Sequence, residues 1–241
     1  MAEVQGILAI DKPAGMSSMK AVAYVRSRAG GVRTGHAGTL DPLATGVLVL
    51  ALGAHTRLLN SLMVTEKRYV TTIDLSAFTT TDDTEGERTE VRPGTPGAAA
   101  APPTREEIER MLAERFTGTV MQRPPSFSAK KVDGRRAYDL ARKGQPPALE
   151  PKPVVIHEMR VTHYAWPLLS LDVHCGKGTY IRSIARELGA ALRTGGHCTM
   201  IRRTAVGAYS IDNAVTLKAV PAKITQEWLD STGQPPARGA R

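Results

Sequence analysis

The sequence predicts an α/β (α+β) fold in which a mixed, largely antiparallel sheet is flanked by helices. Three observations carry that expectation. Strand-like and helix-like segments interleave without a strict strand–helix–strand rhythm, which disfavours a purely parallel sheet. Leu169, Leu171, Val173 and Cys175 alternate with other residues, the mark of a strand with one buried face. Ile181, Ile184, Ala185, Leu188 and Leu192 recur at helical spacing, the mark of a helix laid on such a sheet. With 241 residues, 41% of them hydrophobic, the chain can form one large domain or two small ones around a sizeable core.

In chain order, residues 6–10 read as a short strand, followed by a turn at Asp11-Lys12-Pro13-Ala14-Gly15. Ser17 or Ser18 caps a helix with Val22, Val25 and Ala29 on one face, and Gly30-Gly31 stops it. A glycine-rich loop precedes the apolar run at 47–52, which is one buried strand long. Leu58, Leu59 and Leu62 mark a short helix. Residues 68–75 read as a strand with Tyr69, Thr71, Ile73 and Leu75 on one side. Residues 92–103, rich in Pro, Gly and Ala, form a low-complexity loop expected to be mobile. Thr104 and Glu107 then make a capping-box pattern before Ile108, Met111 and Leu112. Pro124-Pro125 lead to a hairpin turn at Asp133-Gly134. A basic helix with Tyr138, Leu140 and Arg142 ends at Gly144. Strands are expected at 154–164 and 168–175, a helix at 179–192, and a strand at 197–209. Residues 231–241 are polar and expected to fray.

Charge and composition narrow the function. Thirty-two Lys and Arg face 23 Asp and Glu, a formal charge of +9 spread over many segments. That points to a broad basic surface for a polyanion, nucleic acid before an anionic membrane. No apolar run approaches a membrane span, and the first residues lack the basic-then-apolar order of a signal peptide. A cytoplasmic protein is expected. Cys175 and Cys198 stand far apart and no His or Cys pair has metal-ligand spacing, so both read as small buried hydrophobes.

The densest chemical signal runs from Gly35 to Gly46, Gly-His-Ala-Gly-Thr-Leu-Asp-Pro-Leu-Ala-Thr-Gly. Its glycines suit a chain that turns sharply and lets something approach closely. Asp41 is the one acid between Asp11 and Glu66, and Pro42 pushes it toward extended backbone. It reads either as a displayed catalytic carboxylate or as a turn residue bonding its own backbone. Gly176-Lys177-Gly178-Thr179-Tyr180-Ile181-Arg182 joins a strand to a helix but lacks the spacing of a nucleotide-phosphate loop. Arg182 lies in the first helical turn, where the helix dipole disfavours a cation, so it reads either as a solvated surface arginine or as one whose position an acidic partner offsets. Asp41 and an RNA phosphate both fit that role. Arg123 to Lys131 mixes cations with Phe127, material for phosphate contact and base stacking as well as for a solvated hairpin. Arg202-Arg203 reads as a charged strand edge.

Taken together, these blocks resemble the TruB-type tRNA pseudouridine synthases. The matching elements are Asp11-Lys12-Pro13 with Gly15-Met16-Ser17-Ser18, then residues 35–46, then Lys67-Arg68-Tyr69. Pro124-Pro125 with Ser128-Ala129, residues 134–138, residues 178–182 and Arg202-Arg203 follow in order. The resemblance implies the pseudouridine synthase fold and isomerisation of a uridine in the tRNA T-loop, position 55, with no metal or organic cofactor. It implies that Asp41 is the essential catalytic group and that Tyr69 stacks on the target base near its carbon-5. Arg182 would pair with the catalytic carboxylate. His36 would help extrude the nucleotide, Tyr180 and Ile201 would line the base pocket, and Lys12 and Pro13 would support the site. The expected partner is the tRNA T-arm, bound by a monomer with no membrane attachment. Residues 1–215 are expected to form the catalytic domain and 216–241 a short extension in place of the PUA domain of many relatives. A non-catalytic RNA-binding or tRNA-folding protein, and a guide-RNA-dependent synthase, are the competing readings. Asp41, Tyr69 and Arg182 occurring together argue against the first, and the short C-terminal extension argues against the second.

Overall fold

The computed structural model describes residues 3–128, 131–132, 135–141, 144–145, 147 and 149–233. The chain divides into two compact units, residues 1–69 with 202–241, and residues 70–201. Its strands form a mixed, mostly antiparallel sheet accompanied by helices, as the sequence predicts.

The first unit begins with β1 (Gly6–Lys12), α1 (Ser18–Arg28), β2 (Thr34–His36), β3 (Thr45–Leu52) and α2 (Leu59–Met63). β4 (Lys67–Asp74) starts in this unit and runs into the second, where β5 (Ala77–Thr79), β6 (Arg88–Glu90), α3 (Arg105–Arg115) and β7 (Gly118–Gln122) follow. Next come β8 (Lys131–Val132), β9 (Arg135–Arg136), α4 (Ala137–Ala141), β10 (Lys152–Ala165), β11 (Leu168–Cys175) and α5 (Ile181–Leu192). β12 (His197–Val206) carries the chain back into the first unit, which ends with β13 (Tyr209–Ser210), β14 (Val215–Thr216) and α6 (Gln226–Ser231).

In the first unit the strand order is β14-β1-β3-β12, with β2 on β3 and β13 on β12. β1 and β3 pair antiparallel over the full length of β1, from Gly6 opposite Leu52 to Lys12 opposite Gly46. Strand pairing therefore absorbs Asp11 and Lys12, which the sequence had assigned to a turn. Every residue of β3 from Gly46 to Leu52 is buried, so both of its faces are covered and the run is uniformly apolar instead of alternating. One face, with Val47, Val49 and Ala51, packs against Ile7, Ala9, Val206 and Tyr209 and takes Leu59 and Leu62 from α2. Burying a side chain of this size stabilises the fold by about 1.5–3 kcal/mol. α1 is capped by Ser17, whose hydroxyl accepts the Lys20 N–H, and it ends before Gly30 and Gly31, both at positive φ. α6 lies outside what the sequence suggested. Its Leu229 is fully buried, against Gly6 of β1.

In the second unit the strand order is β12-β4-β11-β10-β7, with β5-β6 and β8-β9 as separate two-stranded ribbons. β11 alternates as expected, with Leu169, Leu171, Val173 and Cys175 inward. Thr104 and Glu107 complete the capping box of α3. α5 begins at Ile181, two residues later than its apolar pattern suggested, and buries Ile181, Ile184, Ala185 and Leu188. The expected strand at 197–209 is broken. Gly207, at φ +54, turns the chain so that β13 folds back antiparallel on Ala205 and Val206. Both cysteines are buried, and burial pushes the Cys198 thiol up to about 12. The turn expected at Asp133-Gly134 lies outside the described residues, as do Arg142 and the last eight residues; Lys131 and Val132 of β8 pair antiparallel with Arg136 and Arg135 of β9. Among the described residues, no helix is long and apolar enough to cross a membrane.

Candidate active site

The Asp41 loop links β2 to β3, and its irregular backbone leaves carbonyls that no ladder satisfies. Three buried side chains take up several of these carbonyls together with carbonyls of the β1–α1 connection and of β3. Lys12, at the end of β1 and fully buried, donates from Nζ to the carbonyls of Pro13 (2.8 Å), Met16 (2.7 Å) and Pro42 (3.3 Å). The Pro42 carbonyl also accepts the Gly15 N–H at 2.8 Å. Ser18 donates to the Leu40 carbonyl and accepts the Leu40 N–H, both at 2.8 Å. Arg203, 1% exposed, donates from Nε to Val47 O at 2.7 Å, and from its two Nη atoms to Gly38 O (3.1 Å) and Thr39 O (3.5 Å). Asp41 itself is half-buried, and its carbonyl accepts the Ala44 N–H in a tight turn.

One glycine in the loop is required by geometry. Gly46 sits at φ +103, and a Cβ there would lie 2.1 Å from the Arg203 carbonyl oxygen. Only glycine permits β3 to come this close to β12 while in that conformation. The pairing of Arg202 with Thr45 and of Arg203 with Gly46 places both arginines beside β3. The edge expected for Arg202-Arg203 is therefore not what the structure contains. Arg203 is an interior cation, and Arg202 forks onto both oxygens of Asp11 (3.2 and 2.9 Å) with a further bond to Thr45 Oγ1.

Electrostatics single out Lys12. Its ammonium is pulled down from 10.5 to about 8, chiefly by burial, with the Asp41 carboxylate opposing the fall and Arg203 adding to it. The Asp41 carboxylate thus acts on a buried ammonium that is itself fixed by three carbonyls. Pro13 is exposed beside it, and His36 is half-buried at the end of β2, opposite Leu50. Tyr69 is 9% exposed on β4, in the inward phase of a strand whose Lys67, Tyr69, Thr71 and Ile73 are all buried.

The second unit holds the remaining predicted residues. Ile201 is 4% exposed on β12, and Tyr180 is the half-buried N-cap of α5. Arg182 is 5% exposed, which excludes a solvated surface arginine. Asp83 is an acidic partner, 3.2 Å away and 3% exposed, and the Nη atoms also donate to Thr81 O (2.9 Å) and Phe127 O (2.8 Å). One turn later Arg186 pairs with Asp82 and donates to Arg123 O at 2.7 Å. Burial raises the Asp82 carboxyl above its ordinary range, against the pull of Arg186 and Arg182. Asp82 holds a left-handed backbone at φ +62, uncommon for a non-glycine residue. Sequence reasoning did not single out Asp82, Asp83 or Arg186. Two acids in a threonine-rich stretch ending at Gly86 carry no local mark distinguishing them from turn residues.

Comparison with known proteins places this geometry. Residues 26–181 match the family described as TruB family pseudouridylate synthase (N terminal domain), and residues 182–235 match the tRNA pseudouridylate synthase B C-terminal domain. The chain is 47% identical over 228 residues to tRNA pseudouridine synthase B of Thermobifida fusca (strain YX), covering 91% of this chain and 75% of that protein. It is 46% identical over 220 residues to tRNA pseudouridine synthase B of Caulobacter sp. (strain K31), covering 90% and 68% respectively. Among solved structures, a chain in a crystal structure of a Cbf5-Nop10-Gar1 complex aligns with TM-score 0.70 and 24% identity, over 97% of this chain and 60% of that one. The fold is that of the pseudouridine synthases. More narrowly, the chain belongs to the TruB family and is an isomerase.

Proposed function

We propose that this chain isomerises a uridine in the T-loop of tRNA, at position 55, to pseudouridine, with Asp41 as the essential catalytic group. The curated relatives named tRNA pseudouridine synthase B support tRNA as the substrate. The observation that carries the catalytic assignment is the Asp41 loop. A carboxylate stands on a turn whose backbone is held by the buried cations Lys12 and Arg203, with the Lys12 ammonium in its field.

In this reading the uridine is extruded from the folded T-loop, at a cost of about a few kcal/mol. His36 assists extrusion, Tyr69 stacks on the base, and Tyr180 and Ile201 line its pocket. The bond from the sugar to the base nitrogen breaks, the base turns, and a carbon–carbon bond forms to carbon-5. The carbon-5 proton then leaves, the Tyr69 hydroxyl taking part in that transfer, and the ring nitrogen freed from the sugar takes up a proton, so that product and substrate are isomers. The resemblance assigns Arg182, which is ion-paired with Asp83, to the catalytic carboxylate as well, and Lys12 and Pro13 support the loop that carries that carboxylate. The chain's charge of +9 favours the approach of the polyanion.

The test is incubation of the purified chain with an unmodified tRNA transcript, followed by mapping of pseudouridine. Product at position 55 is expected. Product only at another position would overturn the T-loop assignment, and no product would overturn the enzymatic reading.

A further inference from the structure

α5 starts without a cap of its own. Its N-cap residue is Tyr180, whose ring cannot accept the N–H groups of the first turn, and no side-chain cap bond is present. The Tyr180 backbone is instead held by a residue from another element. Gln122, the last residue of β7 and 2% exposed, accepts the Tyr180 N–H on Oε1 at 2.8 Å. It donates from Nε2 to the Tyr180 carbonyl at 3.1 Å. The same carbonyl accepts the Ile184 N–H that opens the helix. One carboxamide thus engages both polar groups of a single residue, as a neighbouring strand would.

The next residue of the β7 segment is bound as closely. The Arg123 carbonyl accepts from Ser183 Oγ (2.8 Å) and Arg186 (2.7 Å), and the Arg123 N–H donates to Glu187 (3.1 Å). The start of α5 is therefore docked on residues 122–123 by side chain to backbone bonds in both directions. Within that docking the bonds to the Tyr180 backbone come from Gln122.

We propose that Gln122 is a positioning residue that fixes Tyr180, and through it the orientation of the ring against the extruded base. This rests on the functional reading given above. With both Tyr180 backbone groups bonded to a buried amide, the residue has little freedom about its own φ and ψ, so the ring leaves the backbone in one direction. A stacking or lining ring must be held closely, because a displacement of about 1 Å near reacting atoms can lower a rate by roughly 100-fold. At 2% exposure the Gln122 carboxamide engages Tyr180 through both of its ends.

The experiment is a double-mutant cycle of Gln122→Met and Tyr180→Ala, read as single-turnover pseudouridine formation and tRNA affinity measured side by side. Gln122→Met keeps the length and removes both bonds. In the otherwise wild-type chain it should lower the single-turnover rate by about 10- to 100-fold and change the tRNA Kd by less than about threefold. In the Tyr180→Ala background it should lower the rate by less than about threefold more. Losses that multiply in the double variant would overturn the proposal, because Gln122 would then not act through Tyr180. Should the methionine variant fail to fold, Gln122→Asn decides in the same cycle, since it keeps the carboxamide but retracts it by one methylene. A wild-type chain that makes no pseudouridine overturns the functional reading together with this one. An active wild type matched in rate by both Gln122 variants overturns the positioning role alone.

Discussion

Arg182→Lys is the substitution whose cost the structure sets most directly. The guanidinium spans three acceptors, Asp83 Oδ2 at 3.2 Å, Thr81 O at 2.9 Å and Phe127 O at 2.8 Å, and is 5% exposed. A single ammonium cannot reach all three from one position. A hydrogen bond from a charged donor contributes about 1.5–3 kcal/mol, so loss of two costs about 3–6 kcal/mol. Arg182→Met goes further and leaves the Asp83 carboxylate buried without its cation, a loss of about 3–5 kcal/mol for a broken interior pair. Asp83→Asn combined with Arg182→Met removes both charges and should recover part of that loss, as coupled partners do. Urea unfolding at pH 7 gives the stabilities; single-turnover rate and tRNA Kd, measured where each variant is folded, give the function. The rate should fall markedly in both single variants while tRNA affinity changes little. If Arg182→Met instead unfolds at the wild-type urea midpoint and loses tRNA affinity at an unchanged rate, the residue is a phosphate contact and the interior ion pair is not what holds it.

Asp41→Asn should abolish product formation with tRNA affinity near wild type, because the amide keeps the shape but can act neither as nucleophile nor as base; substantial turnover would remove Asp41 from the mechanism. Tyr69→Phe should bind tRNA normally and turn over about 100-fold or more slowly, since the ring remains and the hydroxyl is lost; equal rates would leave the hydroxyl idle. Lys12 predicts a pH dependence with a definite sign. Its folded value, about 8, lies below its ordinary 10.5, so between these pH values the unfolded chain binds more protons and the Lys12 contribution to stability rises with pH, by up to about 3 kcal/mol. Wild type should therefore gain stability relative to Lys12→Met from pH 8 to 10.5, a difference that urea unfolding at several pH values reads directly, while wild-type turnover falls above about pH 8 as the ammonium beside Asp41 loses its charge. A stability difference independent of pH would show that Lys12 is not buried as an ammonium.

The parts of the fold legible in the sequence are those whose signal is local and repeated. β11 announces itself by four alternating side chains, α5 by its apolar stripe, and α3 by a capping box that the structure contains bond for bond. Short elements are not legible this way, because a partner creates them. β13 is two residues long and exists because Gly207 turns it back onto β12. β1 runs on through Asp11 and Lys12 because β3 supplies Val47 and Gly46 opposite them, although the local sequence reads as a turn. α6 has only Leu229 fixed in the interior, too little for any periodicity to register over six residues.

The site divides along the same line. The Asp41 loop was visible because glycine and proline mark unusual backbone wherever they stand. Its supports were not, because lysine and arginine are almost always surface residues, and composition assigns them there. Lys12 and Arg203 are interior because the loop they hold has carbonyls and no ladder. Each carbonyl left bare would cost about 1–3 kcal/mol, and one long cation can satisfy three. A serine, as at Ser18, can serve only where the backbone approaches closely enough for its short arm, as it does at Leu40. Elsewhere the support must reach, and of the side chains that reach, those carrying several donors are cationic. The positive charge beside Asp41 is thus first a consequence of folding an irregular loop without water. The same charge places a carboxylate next to a fixed ammonium, so the scaffold and the electrostatics of the site are one set of atoms. Substitutions that neutralise these cations should therefore affect stability and chemistry together, whereas Asp41→Asn, which leaves the carbonyl bonds of the loop in place and removes the charge that favours the Lys12 ammonium, should affect chemistry far more than stability.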